Sequence, residues 1–191
     1  MMKQALVFLS EGCEETEAVT TIDLLTRAGI NVITASISNC CEVKCSRGVT
    51  ILAQKTISEI QNENFDVVIL PGGVKGAENF RDCSLLIEIL KKTHQVGDVI
   101  AAICASPAIV LQHHNLFPNA YMTGYPSTKS AFKLWKTDRV YFDEQNKVIT
   151  SQGPATSIDF ALKIIDVLVG REKAAEVAQQ LVLPVGVESY Q

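Results

Sequence analysis

The sequence is poorest in the features that announce a partner or a compartment. It has no Lys/Arg block: 17 basic residues face 21 acidic ones, and the net charge of −4 leaves no electrostatic footprint for a tight or sequence-specific nucleic-acid binder. No apolar run reaches membrane-spanning length and no charged-then-apolar signal opens the chain, so no membrane partner is expected and the expected compartment is the cytosol. Histidine is scarce (His94, His113 and His114), and no Cys-x-x-Cys pair occurs. Cys40-Cys41-x-x-x-Cys45 has no histidine nearby to complete a zinc site, so no metal is expected. The glycine-rich stretch Pro71-Gly72-Gly73-Val74-Lys75-Gly76 meets neither G-x-x-x-x-G-K-[ST] nor G-x-G-x-x-G, which removes the case for a nucleotide, and no cofactor is expected. Repeats, low-complexity segments and linkers are also missing. A 191-residue chain that is 47% hydrophobic and 20% charged is therefore expected to form one domain over residues 1–191.

What is present reads as alternating strands and helices. Ala5–Leu9 is a compact apolar run of the kind buried on both faces of a parallel sheet. An acidic segment follows, Glu11-Gly12-Cys13-Glu14-Glu15-Thr16-Glu17, and its carboxylates suit the positive end of a helix. Ala18, Ile22 and Leu25 recur at helical spacing up to Ala28-Gly29, and Ile30–Ile37 reads as the next strand. This βαβ opening implies a parallel sheet with a right-handed crossover. Residues 39–53 read as two short strands off the main sheet. Phe65–Leu70 is another buried strand and runs into the glycine-rich stretch, which reads as a loop. A helix over Ser84–Thr93, a strand over Val99–Ile103 and a helical run over Ala108–Gln112 come next. The spacing then predicts a hairpin of Val140–Phe142 with Val148–Thr150, a helix from Ile158 to Leu168, a last helix over Arg171–Leu181 and a loose tail.

The chemistry gathers around Val99-Ile100-Ala101-Ala102-Ile103-Cys104-Ala105-Ser106-Pro107. An apolar strand runs directly into Cys104, and Pro107 suits a first helical turn. Cys104 then stands on a sharp strand-to-helix turn, the layout of a nucleophile elbow, where a helix N-terminus favours a thiolate. A buried cysteine that only packs fits the same residues. Glu17 shares a helix face with Thr21, Leu24 and Ala28; it is either a solvated first-turn carboxylate or a partly buried acid able to hold a proton. Gly72 and Gly73 either form a plain turn or let backbone N–H groups approach a bound oxyanion. His113 lies roughly 14 Å along a helix from Cys104, too far to serve as its base. The other five cysteines, Cys13, Cys40, Cys41, Cys45 and Cys83, are expected to pack or lie on the surface as free thiols.

Five separated motifs in one order carry a resemblance: Glu14–Leu25, Cys45-Ser46-Arg47-Gly48-Val49, Leu70–Glu78, Ala101–Ala108 and Thr150-Ser151-Gln152-Gly153-Pro154. In these the chain resembles the ThiJ/PfpI superfamily nearly end to end, and most closely its YajL-like branch. The resemblance implies an α/β, flavodoxin-like (class I glutamine amidotransferase-like) three-layer sandwich with a mostly parallel sheet and a cysteine nucleophile elbow. It implies that Cys104 and Glu17 are catalytic, with Glu17 holding a proton against the sulfur. Gly72, Gly73, Ala105 and Tyr125 are implied to bind the oxyanion or substrate, with the backbone donors at Gly73 and Ala105. Thr16, Arg27 and Arg47 are implied to lie at a homodimer contact. The implied activity is a cofactor-independent glyoxalase or deglycase acting on methylglyoxal, glyoxal and their early adducts on proteins or nucleotides. The alternative is a redox-responsive chaperone that uses the same cysteine and binds unfolded clients. Two departures stand out: Tyr125 occupies a position where some relatives have His, and Ala105 follows the cysteine where protease-like relatives have His.

Overall fold

Strand β1 (Gln4–Leu9) is the centre on which the fold is built, because its side chains alternate between two buried faces. Ala5, Val7 and Leu9 enter one core and Leu6 and Phe8 the other. The computed structural model describes residues 2–182; the tail expected after the last helix lies outside the described residues from residue 183 onward. Helix α1 (Glu15–Arg27) leads to β2 (Asn31–Ser36), which pairs in parallel with β1. Strands β3 (Glu42–Lys44) and β4 (Thr50–Leu52) form a separate antiparallel pair, as expected for residues 39–53. A short strand β5 (Lys55–Thr56) and one helical turn α2 (Ile57–Ile60) follow, then β6 (Val67–Leu70), α3 (Val74–Asp82) and α4 (Ser84–Val96). The remaining elements are β7 (Val99–Ile103), the hairpin β8 (Val140–Asp143) with β9 (Val148–Ser151), α5 (Ser157–Val169) and α6 (Arg171–Gln179).

The main sheet has the order β5-β2-β1-β6-β7-β9-β8, parallel throughout except for β8. Helices cover both faces: the core on one side draws on α1, α5 and α6, that on the other on α2, α3 and α4. This is a flavodoxin-like α/β sandwich. Phe8, Phe80, Phe160, Leu25, Leu90 and Ile69 are among its fully buried side chains. Each contributes roughly 1.5–3 kcal/mol by leaving water. The strand order reverses at β1, so the carboxyl ends of β1 and β6 diverge into a crevice, the usual ligand position in an open α/β sheet.

One expectation is corrected, and the structure adds details to others. The stretch Pro71–Gly76 is only half loop, because α3 begins at Val74. Gly76 inside that helix is demanded by contact: a Cβ there would lie 2.6 Å from Cys13 Cα. The helical run expected over Ala108–Gln112 is present, as a π-helix over Pro107–Gln112. A 3-10 helix over Pro126–Ala131 follows Tyr125. Finally, β5 and α2 lie where the sequence shows no apolar periodicity; α2 starts instead from a capping box, with Thr56 N–H donating to Glu59 Oε2 at 2.7 Å. Among the described residues no helix is long and apolar enough to cross a membrane.

Candidate functional site

Cys104 is the first residue after β7 and takes φ = +64°, a left-handed conformation that costs a side-chain-bearing residue roughly 1–2 kcal/mol. Flanking hydrogen bonds hold it there. Its N–H donates to Ser151 O at 2.9 Å, and its carbonyl accepts the Tyr125 N–H at 2.7 Å. Ser106, fully buried, donates through Oγ to Pro71 O at 2.5 Å and ties the elbow to the end of β6. The parallel register sets Leu70 opposite Ala102, so two residues further on Gly72 meets Cys104. A Cβ at Gly72 would fall 2.5 Å from Cys104 Cβ and 2.7 Å from a Glu17 oxygen, which leaves space only for glycine. Gly73 has φ = +82°, and a Cβ there would strike Gly12 O at 2.4 Å.

Glu17 reaches the same point from the first turn of α1 and is fully buried. Its Oε2 accepts the Gly72 N–H at 2.6 Å, whereas Oε1 has no hydrogen-bond partner of good geometry. The carboxyl interacts directly with the Cys104 thiol. Oε2 is committed as an acceptor, so a proton held by this carboxyl goes on Oε1, the oxygen left without a partner. Burial is the main reason the Glu17 carboxyl is pushed up to about 7; the nearby Glu14 charge adds to it, and the Gly72 N–H and the Cys104 thiol oppose it. The solvated first-turn carboxylate is thereby set aside.

The expectation that a helix N-terminus makes Cys104 a ready thiolate is corrected. Burial, and then the charge of an ionised Glu17, push the thiol up to about 12, against the backbone N–H groups of Gly73 and Ala105, which favour the anion. The two acids therefore behave as one pair that carries a single negative charge over a wide pH range. Burial of the thiol keeps the proton on the sulfur and the charge on Glu17, and transfer of that proton to Glu17 moves the charge to the sulfur. Gly73 and Ala105 stand where the sequence placed the donors, but Gly72 does not act as one, because its N–H is spent on Glu17. Tyr125 comes to the elbow through its backbone, and its half-exposed ring lies over Gly153, where a Cβ would be 3.5 Å away.

Thr16 and Arg27 lie on the exposed face of α1, with Arg27 bonded to Asp23 at 2.9 Å. Arg47 is exposed on the loop between β3 and β4. That loop is held down by Glu15, which accepts the Arg47 N–H at 2.9 Å and Ser46 Oγ at 3.0 Å. His113 is exposed, and His114 Nε2 contacts Arg81 O at 2.8 Å, so neither histidine serves the thiol. No group of three or more metal-ligating side chains occurs among the described residues. A groove of about 620 Å³ runs past Ser10, Ser36, Lys44 and Asn79, but neither Cys104 nor Glu17 lines it. Sequence reasoning missed Ser106, whose only signal was its place between the elbow cysteine and Pro107.

The chain is similar to known proteins along nearly its whole length. The model of the DJ-1/PfpI family matches residues 3–167. The chain is 40% identical over 188 residues to protein dj-1beta of Drosophila melanogaster, covering 96% of this chain and 98% of that one. It is 35% identical over 185 residues to the glutathione-independent glyoxalase DJR-1.2 of Caenorhabditis elegans, covering 95% and 97%. Among solved structures, oxidized DJ-1 of Toxoplasma gondii superposes with a TM-score of 0.91 at 43% identity, covering 94% of this chain and 97% of that one. A flavodoxin-like sheet, a cysteine on a strained elbow and a buried acid beside it thus accompany similarity along nearly the whole sequence: the chain belongs to the DJ-1/PfpI family.

Proposed function

We propose that the protein is a cysteine-dependent, cofactor-independent glyoxalase that converts methylglyoxal or glyoxal to the corresponding hydroxy acid, and that it also acts as a deglycase on their early adducts. The observation that carries this reading is the pairing of Cys104 with a fully buried Glu17, whose carboxyl burial pushes up to about 7. The Cys104 sulfur attacks the aldehyde carbon and forms a C–S bond, and the new oxyanion takes the Glu17 proton as a hemithioacetal. The Gly73 and Ala105 N–H groups, which already favour the anion at the sulfur, serve as donors to that oxyanion. The Glu17 carboxylate then takes the proton from the former aldehyde carbon and returns it to the neighbouring carbon, leaving a thioester. Water cleaves the thioester, releasing the hydroxy acid and the thiol, so the balance is dicarbonyl plus water. Adducts on Cys, Lys or Arg side chains, or on nucleotides, expel their thiol or amine as the C–S bond forms. The similarity to a relative named a glutathione-independent glyoxalase supports a reaction without a thiol cofactor.

The test is D- or L-lactate formed from methylglyoxal without glutathione. Cys104→Ser is expected to lose all measurable turnover, and Glu17→Gln at least about 100-fold in kcat, the scale of a lost general acid–base. Undiminished methylglyoxal consumption by Cys104→Ser would overturn the mechanism. A redox-sensing reading draws on the same site: the Gly73 and Ala105 N–H groups and the Glu17 O–H also suit an oxygen added to the sulfur. Peroxide that abolishes glyoxalase activity while creating binding to unfolded clients would favour it. The proposed assembly is a homodimer through the face bearing Thr16, Arg27 and Arg47, and the proposed compartment is the cytosol.

A further inference from the structure

A second pair of sulfurs lies outside the proposed mechanism. Cys13, on the β1–α1 loop, and Cys45, where the β3–β4 hairpin turns, are both buried free thiols with Sγ atoms 3.7 Å apart. Several contacts press the hairpin onto this loop. Gly12 N–H donates to Lys44 O and Ser46 N–H to Cys13 O, each at 2.8 Å, and Ser46 Oγ bridges Glu14 and Glu15 at 2.8 and 3.0 Å. With no third ligand beside them among the described residues, the thiols do not form a metal site.

We infer that Cys13 and Cys45 are a redox-modification site, which a peroxide oxidises to an intramolecular disulfide that locks the β3–β4 hairpin onto the start of α1. Closing the bond needs the sulfurs to move from 3.7 Å to about 2.05 Å, a shift that side-chain rotation and a small hairpin adjustment supply. Access is gated. Both thiols are held above the ordinary range, chiefly by burial, so they stay reduced while the hairpin is seated. The hairpin has only three residues in each strand and no partner in the main sheet, so it is the element that opens at least cost. Either sulfur can donate across the 3.7 Å contact; Cys45 rides on the hairpin that opens, so it is the first to meet the peroxide. The Cys45 thiolate attacks one peroxide oxygen, the O–O bond breaks, and Cys45 sulfenic acid forms with one water. Cys13 sulfur then attacks Cys45 sulfur; the S–O bond breaks, the S–S bond forms, and the second water leaves with the Cys13 proton. Two thiols lose two electrons and two protons, and one peroxide becomes two waters.

The experiment treats the folded full-length protein with hydrogen peroxide, blocks remaining thiols and maps peptides without reduction, in the natural sequence and in Cys104→Ser. The expected result in both is a Cys13–Cys45 linked peptide with a mass loss of two hydrogens, reversed by dithiothreitol. The loop closed is long, so the oxidised protein should melt higher by on the order of 5–10 °C, and Cys13→Ser should remove that rise. Recovery of Cys13 and Cys45 as free thiols when exposed Cys40 is oxidised, or links from either to Cys40 or Cys41, would overturn the inference. The peptide map reads the natural sequence directly, so it stands even if Cys13→Ser folds poorly.

Discussion

Glu17 is the residue on which the proposed chemistry turns, and its cost to the fold is measurable. Burial raises its pKa, so the folded chain binds a proton that the unfolded chain releases near the ordinary carboxylate value. That contribution is complete at low pH and is lost as pH rises through about 7, to a total on the order of 3 kcal/mol. Denaturant titration from pH 5 to 8 should show this decline, and Glu17→Gln, neutral at every pH, should flatten it and be the more stable protein at pH 8. A Glu17→Gln curve parallel to the natural one would show that another group carries the dependence. The position was legible in the sequence as an acid sharing a face with Thr21, Leu24 and Ala28. Its oxygens' partners were not, because Gly72 lies 55 residues away.

Among the elements, the β3–β4 hairpin gathers several of its attachments on one carboxylate. Burial pushes Glu15 up, but N–H groups of its own turn, of Arg47 and of Val49, together with Ser46 Oγ, outweigh it and hold the carboxyl below the usual range. Its stabilisation is therefore present at neutral pH and is lost as pH falls through that depressed pKa. Glu15→Ala should cost roughly 1.5–3 kcal/mol and speed hydrogen exchange at residues 46–49 before it affects the main sheet. Exchange that stays slow there would place the anchor elsewhere. Strands β1, β6 and β7 were plain from their apolar runs, and the off-sheet hairpin from its position. Helix α3 was not: Gly76 reads as a loop residue, and only the contact with Cys13 explains a glycine inside the helix.

For the whole molecule, the surface carries the remaining expectation. Val19 on α1 is 50% exposed, and Val49 and Leu52 on the hairpin are 49% and 75% exposed, apolar area of the kind a partner covers. Sedimentation should therefore report twice the 20.8 kDa of the chain, and Leu52→Glu should shift it toward the monomer. A monomer in the natural sequence at micromolar concentration would remove the dimer.

The sequence alone determined the architecture and the identity of the two central residues. Apolar runs of strand length and helical spacing are local patterns, and an apolar strand ending in Cys-Ala-Ser-Pro is a local event. The tertiary structure decided what those residues can do. Only folding brings Glu17, Gly72 and Cys104 together from three strand ends, buries the acid until its carboxyl is pushed up to about 7, and buries the thiol beside it, which raises the sulfur that the local turn alone would have acidified. The same long-range packing set Cys13 beside Cys45. Protonation and sulfur contact depend on desolvation and distance, and neither is a property of neighbours in sequence.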